Sequence, residues 1–409
     1  MSDEPGRGGG LQRARLIEWR TDPARASALV DQAIALGDPA ATPLWFADQA
    51  DVRCRIALNA RDFHAALGHA RRAVGFSQAA AAWPSYDAEY RVNEAYALLG
   101  AGAVDEALAC FNAINETPMP PYQVARLECL IGLSSLTVAD QHGTWATVHQ
   151  AELAHVLGRL RELEWPGVLP LLPEHIARLF ARALASGVET DWVRAAIRTR
   201  ALGAPPGAPE GWPWSVKVYT LGPFRVAAEL GPLREPPRDA RKASSKPLEL
   251  LRFLAMHGHD AVLVDRVAES LWPGDGREGR QKAFDITTAR LRRLLGNDAA
   301  VSVNDHRMRL NPQCVWVDVQ ALNDRLAEGE VAAEGSLAAG AALDAALALY
   351  RGPCLADSRE AWATTARDRL RARLAAALLR ATRWPGVSPS QRREWTLRAT
   401  SADPQVGPR

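Results

Sequence analysis

Lys282, Ile286, Ala289 and Arg293 recur at helical spacing, with Arg290 beside them. The opposite stripe of the same helix holds Phe284, Thr288, Leu291 and Leu295. Cations fixed in a row do one kind of chemistry well. They displace counterions from a polyanion, and where they reach a base edge they donate to it. The mostly apolar stripe gives the helix a side to bury, so the basic stripe must face outward. Gly296 closes the segment 281–295. Downstream, Val301-Ser-Val303 and Met308-Arg-Leu310 flank the polar turn Asn304-Asp-His-Arg307, which predicts a hairpin carrying Arg307 and Arg309. Arg292 falls nearer the edge of the apolar stripe, where it clamps a phosphate or pairs with an acid. Arg307 either enters a minor groove or solvates the hairpin tip. A basic helix set between a short helix and a hairpin is the arrangement a major-groove reader requires. The competing interpretation is a solvated basic face.

The flanking sequence supplies elements to hold these side chains. Val216-Lys-Val218-Tyr-Thr-Leu221 and Phe224-Arg-Val226 alternate on either side of Gly222-Pro223, which predicts two short strands. Ser245-Lys-Pro247 opens a helix with Leu248, Leu251 and Leu254 on its inner face. Asp265 is expected to cap a second helix ending at Leu271-Trp-Pro273. Val315-Trp-Val317 is a further strand, and Asp318 is expected to cap the helix after it. Helices are expected over Leu322–Leu326, Ala341–Tyr350 and Trp362–Thr382. The segment after Trp384 is Pro-rich and polar, with one short helix at Gln391–Arg398.

Ahead of these, residues 11–202 are rich in Ala, Leu and Arg and read as consecutive helices, after a Gly-rich start at 1–10 expected to be disordered. Two helix pairs have the pattern of degenerate tetratricopeptide repeats. One carries Cys54, Ala57, Ala66, Ala70 and Ala73. The other carries Ala95, Leu98, Ala107, Phe111 and Ile114 around a turn at Gly100-Ala-Gly102, before Pro118. Such an array is either plain scaffold or a groove for a protein partner. Residues 203–213, Gly-Ala-Pro-Pro-Gly-Ala-Pro-Glu-Gly-Trp-Pro, read as a linker.

Composition narrows the function. Net charge is only +2, yet residues 215–312 hold seventeen Lys and Arg against twelve Asp and Glu, and residues 280–309 hold seven against three. A local basic patch on a near-neutral chain suits a regulated nucleic-acid contact, not a histone-like one. The five cysteines are scattered with no CxxC spacing, which argues against a zinc site or a disulfide framework. His149 and His155 do not share a helix face, and His257-Gly-His259 has no Cys or acid cluster nearby. Gly132-Leu-Ser134-Ser135-Leu136 lacks the second glycine of a nucleophile elbow. Gly6-Arg-Gly-Gly-Gly10 lacks the Gly-Lys-Ser/Thr of a phosphate loop. The expectation is no cofactor, no metal and no enzyme. With no apolar run long enough for a bilayer and no apolar leader, it is also of a soluble, cytoplasmic protein.

Taken in order, the landmarks resemble an OmpR-type winged helix-turn-helix followed by a bacterial transcriptional activator domain. They are Leu221-Gly-Pro-Phe-Arg-Val226, Lys246-Pro-Leu-Glu-Leu-Leu251, Asp265-Arg-Val-Ala-Glu-Ser-Leu-Trp-Pro273, the segment 283–296, Val315-Trp-Val-Asp-Val319, Leu349-Tyr-Arg-Gly-Pro353 and Arg367-Asp-Arg-Leu-Arg-Ala-Arg373. The resemblance spans about Trp214 to Arg383, and residues 175–202 look like the segment joining a repeat array to such a module. It implies a mainly α chain. A tetratricopeptide-like α-solenoid (11–202) and a linker (203–213) precede a central α+β winged helix (214–318), an activator-domain-like helical segment (319–384) and a tail (385–409). It further implies binding to double-stranded promoter DNA and contact with RNA polymerase. A protein partner on the repeats, homo-oligomers and a role in signal transduction are also consistent with it. By position it assigns Lys282, Ile286, Ala289, Arg290, Arg292 and Arg293 to the recognition helix and Arg307 and Arg309 to the wing. Two departures stand out: Arg307-Met308 replaces the usual Gly-Tyr of the wing, and Ala289 sits where a basic residue is common. A protein-interaction adaptor with a structural winged helix is the alternative from another functional class.

Overall fold

The computed structural model describes residues 22–115, 121–163, 172–228, 245–258, 260–274 and 276–402. Residues 1–10, the start of the helical array at Leu11, and Pro118 and His259 lie outside them. The chain is mainly helical and divides into two compact units, Met1–Gly203 and Ala204–Arg409.

The first unit is a succession of helices: α1 (Pro23–Ala35), α2 (Pro43–Asn59), α3 (Phe63–Ala79), α4 (Pro84–Gly100), α5 (Val104–Asn115), α6 (Pro121–Gln141), α7 (Thr147–Glu162), α8 (Pro173–Ala185) and α9 (Thr190–Thr199). Small side chains set the helix spacing. Cys54, Ala57, Ala66, Ala70 and Ala73 are all buried, as are Ala95, Leu98, Ala107, Phe111 and Ile114. Six of the helices end alike. A residue with positive φ (Arg61, Ala81, Gly102, Gly143, Gly187 or Ala201) breaks the helix. The next amide then reaches back to a carbonyl five residues earlier, as Asp62 does to Ala57 and Ala103 to Leu98. Pro at the first helical position starts α2, α4 and α8, where a missing N–H costs nothing.

A buried polar layer ties α2 to α4. Asn93 donates to Asp51 at 2.5 Å, Asp51 pairs with Arg55 at 2.8 Å, and Tyr90 donates to Asp48 at 3.0 Å. Between α6 and α8, Asp140 pairs with both Arg178 and Arg182, and Arg182 stacks on Trp145. His175 is buried against Gln141, and burial lowers its pKa.

The second unit is built around two small sheets. Strands β1 (Val216–Tyr219), β2 (Arg225–Ala228) and β6 (Val315–Val317) form one, in the order β2-β1-β6, with β1 antiparallel to β2 and parallel to β6. Strands β3 (Val262–Leu263), β4 (Val301–Asn304) and β5 (Arg307–Leu310) form the other, in the order β3-β5-β4. Helix α10 (Ser245–Met256) lies between β2 and β3 in sequence, and α11 (Val264–Leu271) and α12 (Arg277–Leu295) lie between β3 and β4. Helices α13 (Asp318–Val331), α14 (Leu337–Leu349), α15 (Ala361–Ala381) and α16 (Pro389–Ala402) follow them.

One hydrophobic cluster runs through all of these elements, from Val216 to Ala402. There is therefore no seam in the core at residue 318, where the sequence changes character. Asp318 shows why. The helix begins at this residue, with Val317 as its N-cap, so the expected capping role is not the one it plays. Its buried carboxylate accepts from the Thr220 amide (2.7 Å), the Thr220 hydroxyl (2.8 Å) and the Leu221 amide (2.9 Å), which ties the end of β1 to the start of α13. Burial raises its pKa, and those hydrogen bonds pull it back. Next to it, Pro353–Leu355 continues the edge of β1: Leu221 bridges Cys354, and Leu355 donates to Thr220. Arg367 holds that loop by donating to the carbonyls of Cys354, Leu355 and Ser358.

Several expected boundaries shift. Residues 204–214 do not hang free as a linker. Trp212 and Trp214 are buried, Glu210 accepts from Tyr219 and pairs with Arg351, and the Ala204 and Gly207 carbonyls accept from Gln313 and Arg325. The segment read as a tail contains α16, longer than Gln391–Arg398, because Trp395, Ala399 and Ala402 pack into the cluster. Asp265 lies in the first turn of α11 rather than at its cap, which is Leu263. On α10, Leu250 and Phe253 are buried with Leu251 and Leu254, while Leu248 is only half-buried, so the helix is enclosed on more than one side.

Candidate nucleic-acid interface

Helix α12 is one turn longer than the spacing predicts, starting at Arg277 with Gly276 as N-cap and stopping at Gly296 with φ 66°. Phe284, Thr288, Leu291 and Leu295 are buried as expected, and Thr287 joins them. The buried stripe packs into the cluster that also contains Leu251 and Leu254 of α10, Val267 and Leu271 of α11, and Met308 and Leu310 of β5. The helix is thus clamped on its inner side by two helices and the hairpin sheet. Its last turn carries Arg292 and Arg293, which complement the negative end of the helix dipole.

Lys282, Ile286, Ala289, Arg290 and Arg293 are all exposed on the outward stripe. None of Lys282, Arg290 and Arg293 has an ion-pair or hydrogen-bond partner among the described residues. The acids of this helix sit to one side. Asp285 accepts from Gln281 at 3.1 Å, and Glu278 is exposed in the first turn. Arg290 lies on the other side of the stripe.

Arg292 does something else. It donates through Nε (3.3 Å) and Nη2 (3.0 Å) to the carbonyl of Val301, the first residue of β4. It therefore fastens the end of α12 to the hairpin, and no acid is its partner among the described residues. Arg307 is similarly occupied, donating through Nη1 to the Ala261 carbonyl at 2.9 Å, with the rest of the side chain exposed. Arg309 is exposed on β5, paired across the sheet with Ser302 of β4. The hairpin turns through Asp305 (φ 49°) and His306 (φ 56°), both in the left-handed region as a two-residue type I′ turn requires.

Lys246 has a role that its spacing does not announce. Its ammonium donates to the Leu271 carbonyl at 2.8 Å, pairs with Glu249 at 3.0 Å and lies 5.9 Å from the centre of the Trp272 ring. It caps the carboxyl end of α11 from the first turn of α10, and so fixes the angle between the two helices behind α12. A cation just before Pro247 was the visible signal, but its partner is 25 residues away.

Among the described residues no group of three or more His, Cys, Asp or Glu could hold a metal ion. Burial pushes the Cys110 and Cys129 thiols up to about 11 and Cys354 to about 12, so none of the three is a thiolate at neutral pH. His257 donates through Nδ1 to the Phe253 carbonyl of α10, and burial lowers its pKa. No helix among the described residues is long and apolar enough to cross a membrane. Compared with protein-family models, curated proteins and solved structures, the chain matches none of them.

Proposed function

We propose that this chain is a DNA-binding transcriptional regulator that docks on promoter DNA through α12 and couples that contact to protein partners. The observation that carries the proposal is the outward face of α12. Three cations, Lys282, Arg290 and Arg293, stand exposed on it without partners among the described residues, on a helix whose other side is locked into the core. A rigid helix with unneutralised cations suits a phosphate backbone, because its counterion release costs no side-chain pairing and little ordering of the helix. The exposed Arg309 on the adjoining hairpin sheet extends the basic surface.

In this proposal residues 214–318 form an OmpR-type winged helix with α12 as recognition helix and β4–β5 as wing. Residues 319–384 form the activator-domain-like segment, offering a surface to RNA polymerase. The helices of residues 22–202 form a tetratricopeptide-like solenoid that receives an upstream protein signal. Its support is the recurring terminator turn and the buried small residues at Ala66 and Ala107. A protein-interaction adaptor is the alternative. It draws on Trp83 and Tyr86, both exposed at the start of α4.

Selection of fragmented genomic DNA by the purified protein, followed by sequencing, separates the two. A regulator enriches sites with a shared sequence, and the Lys282→Ala/Arg290→Ala/Arg293→Ala triple variant loses them. Its affinity for an enriched site falls with salt at a log–log slope near −0.9 per phosphate neutralised. Equal weak recovery by both proteins removes the DNA-binding proposal and leaves the adaptor.

A further inference from the structure

Ile286 is an exposed apolar side chain set among charged ones. Leu263, Ile286, Val331, Leu337 and Leu397 are the exposed large apolar side chains among the described residues of 204–409, and of these only Ile286, with 44% of its surface showing, lies on the basic stripe of α12. It sits mid-length on the outward stripe of α12. Lys282 precedes it by one turn, Arg290 follows it by one turn, and Arg293 comes two turns on. Ala289, three residues on, presents its methyl group beside it, since residues i and i+3 are neighbours on a helix surface. The result is a spot of two aliphatic side chains with Lys282 before it, Arg293 after it and Arg290 on one flank, and Asp285 on the other flank.

That spot is the wrong size for a protein partner. Stable protein interfaces bury hundreds of square ångströms on each side and concentrate their apolar area at the centre. Here a single isoleucine and an alanine are ringed by charge. The spot is the right size for one methyl group. In the major groove the only methyl a B-form duplex normally offers is the C5-methyl of thymine, beside its O4 acceptor. The surrounding cations would hold the backbone on either side, and the aliphatic centre would meet the methyl.

We propose that Ile286, with Ala289, selects a C5-methyl group in the major groove, that of a thymine in the operator. The proposal rests on the DNA-binding function above and adds the base feature that the helix centre reads. It also explains why a non-basic Ala289 suits its place: a lysine or arginine there would cover the methyl contact.

The test uses the full-length protein and an operator duplex enriched from genomic DNA. Each thymine is replaced in turn by deoxyuridine, which removes the methyl and nothing else. One position should weaken binding by about fourfold, the burial of a single methyl group. Because the contact is apolar, that ratio should hold between low and moderate salt while absolute affinity falls. Ile286→Ala should erase the difference at that position and at no other. Placing 5-methylcytosine·guanine there separates the methyl from the rest of thymine. Recovery above the unmethylated cytosine duplex assigns the contact to the methyl, and no recovery overturns it. Equal binding of every deoxyuridine duplex, or an unchanged ratio in Ile286→Ala, also overturns it while leaving DNA binding intact. Failure to enrich any DNA removes both proposals together.

Discussion

The arginines around α12 fall into two classes by what their guanidinium groups touch. Arg290 and Arg293 reach outward, whereas Arg292 is spent on the Val301 carbonyl. These classes respond differently to substitution. Arg292→Ala strands a half-buried carbonyl at the start of β4 and frees the hairpin from the helix end, so it should cost about 1–3 kcal/mol of stability in denaturant unfolding. If DNA is bound, it should lower affinity without changing the salt slope, because no phosphate contact is lost. Arg292→Lys retains one donor and should recover part of the stability. A reduced salt slope in Arg292→Ala would return this residue to the phosphate-binding set. Helical spacing alone separated the outward stripe from the buried one, and Phe284, Thr288, Leu291 and Leu295 are buried where it put them. It could not name the partner of Arg292, because a backbone carbonyl carries no residue signature. The same limit applies to Lys246 on the Leu271 carbonyl and to Asp318 on the Thr220 and Leu221 amides.

Elements were legible where a period or a turn chemistry repeats. The alternation on either side of Asn304–Arg307 fixed both strands of the hairpin, and the type I′ turn follows from a two-residue connection. Its residues are poor choices for that turn. Asp305 and His306 both hold positive φ, a conformation that favours glycine at the second position. His306→Gly should relieve the strain and stabilise the chain by roughly 0.5–1 kcal/mol, seen as a rise in denaturation midpoint with unchanged m-value. A loss of stability would mean that the His306 ring contributes a contact larger than the strain it imposes. The helix ends were less legible. The extra turn of α12 over Arg277–Arg280 contains Gly279, which lowers helix propensity and hid the true start. The burial of α16 depends on Trp395 finding Trp384, with ring centres 6.0 Å apart, a contact no local pattern announces.

At the scale of the whole molecule, the central question is how many bodies residues 204–402 make. Composition marks a change near residue 318, from a mixed strand–helix stretch to plain helix. The core does not respect it, because Val216, Leu251 and Leu291 belong to one cluster with Leu322, Leu343, Leu370, Leu374 and Leu378. Gln320 donates to the Ala255 carbonyl, and Arg252 pairs with Asp357 at 2.9 Å, so polar ties cross the same line. Each fully buried leucine is worth about 1.5–3 kcal/mol of transfer free energy. Removing these five of the seven clustered leucines after residue 318 therefore takes away about as much as the whole net stability of an ordinary domain, roughly 5–15 kcal/mol. A fragment of residues 214–318 should consequently lack a cooperative unfolding transition and bind hydrophobic dyes, while residues 204–409 should unfold in one sharp step. A sharp transition in the short fragment would show that the cluster is two cores in contact. The first outcome has a functional consequence. If α12 and α13–α16 share one core, a partner that loads the C-terminal helices bears directly on the outward face of α12, and no hinge is needed to connect them.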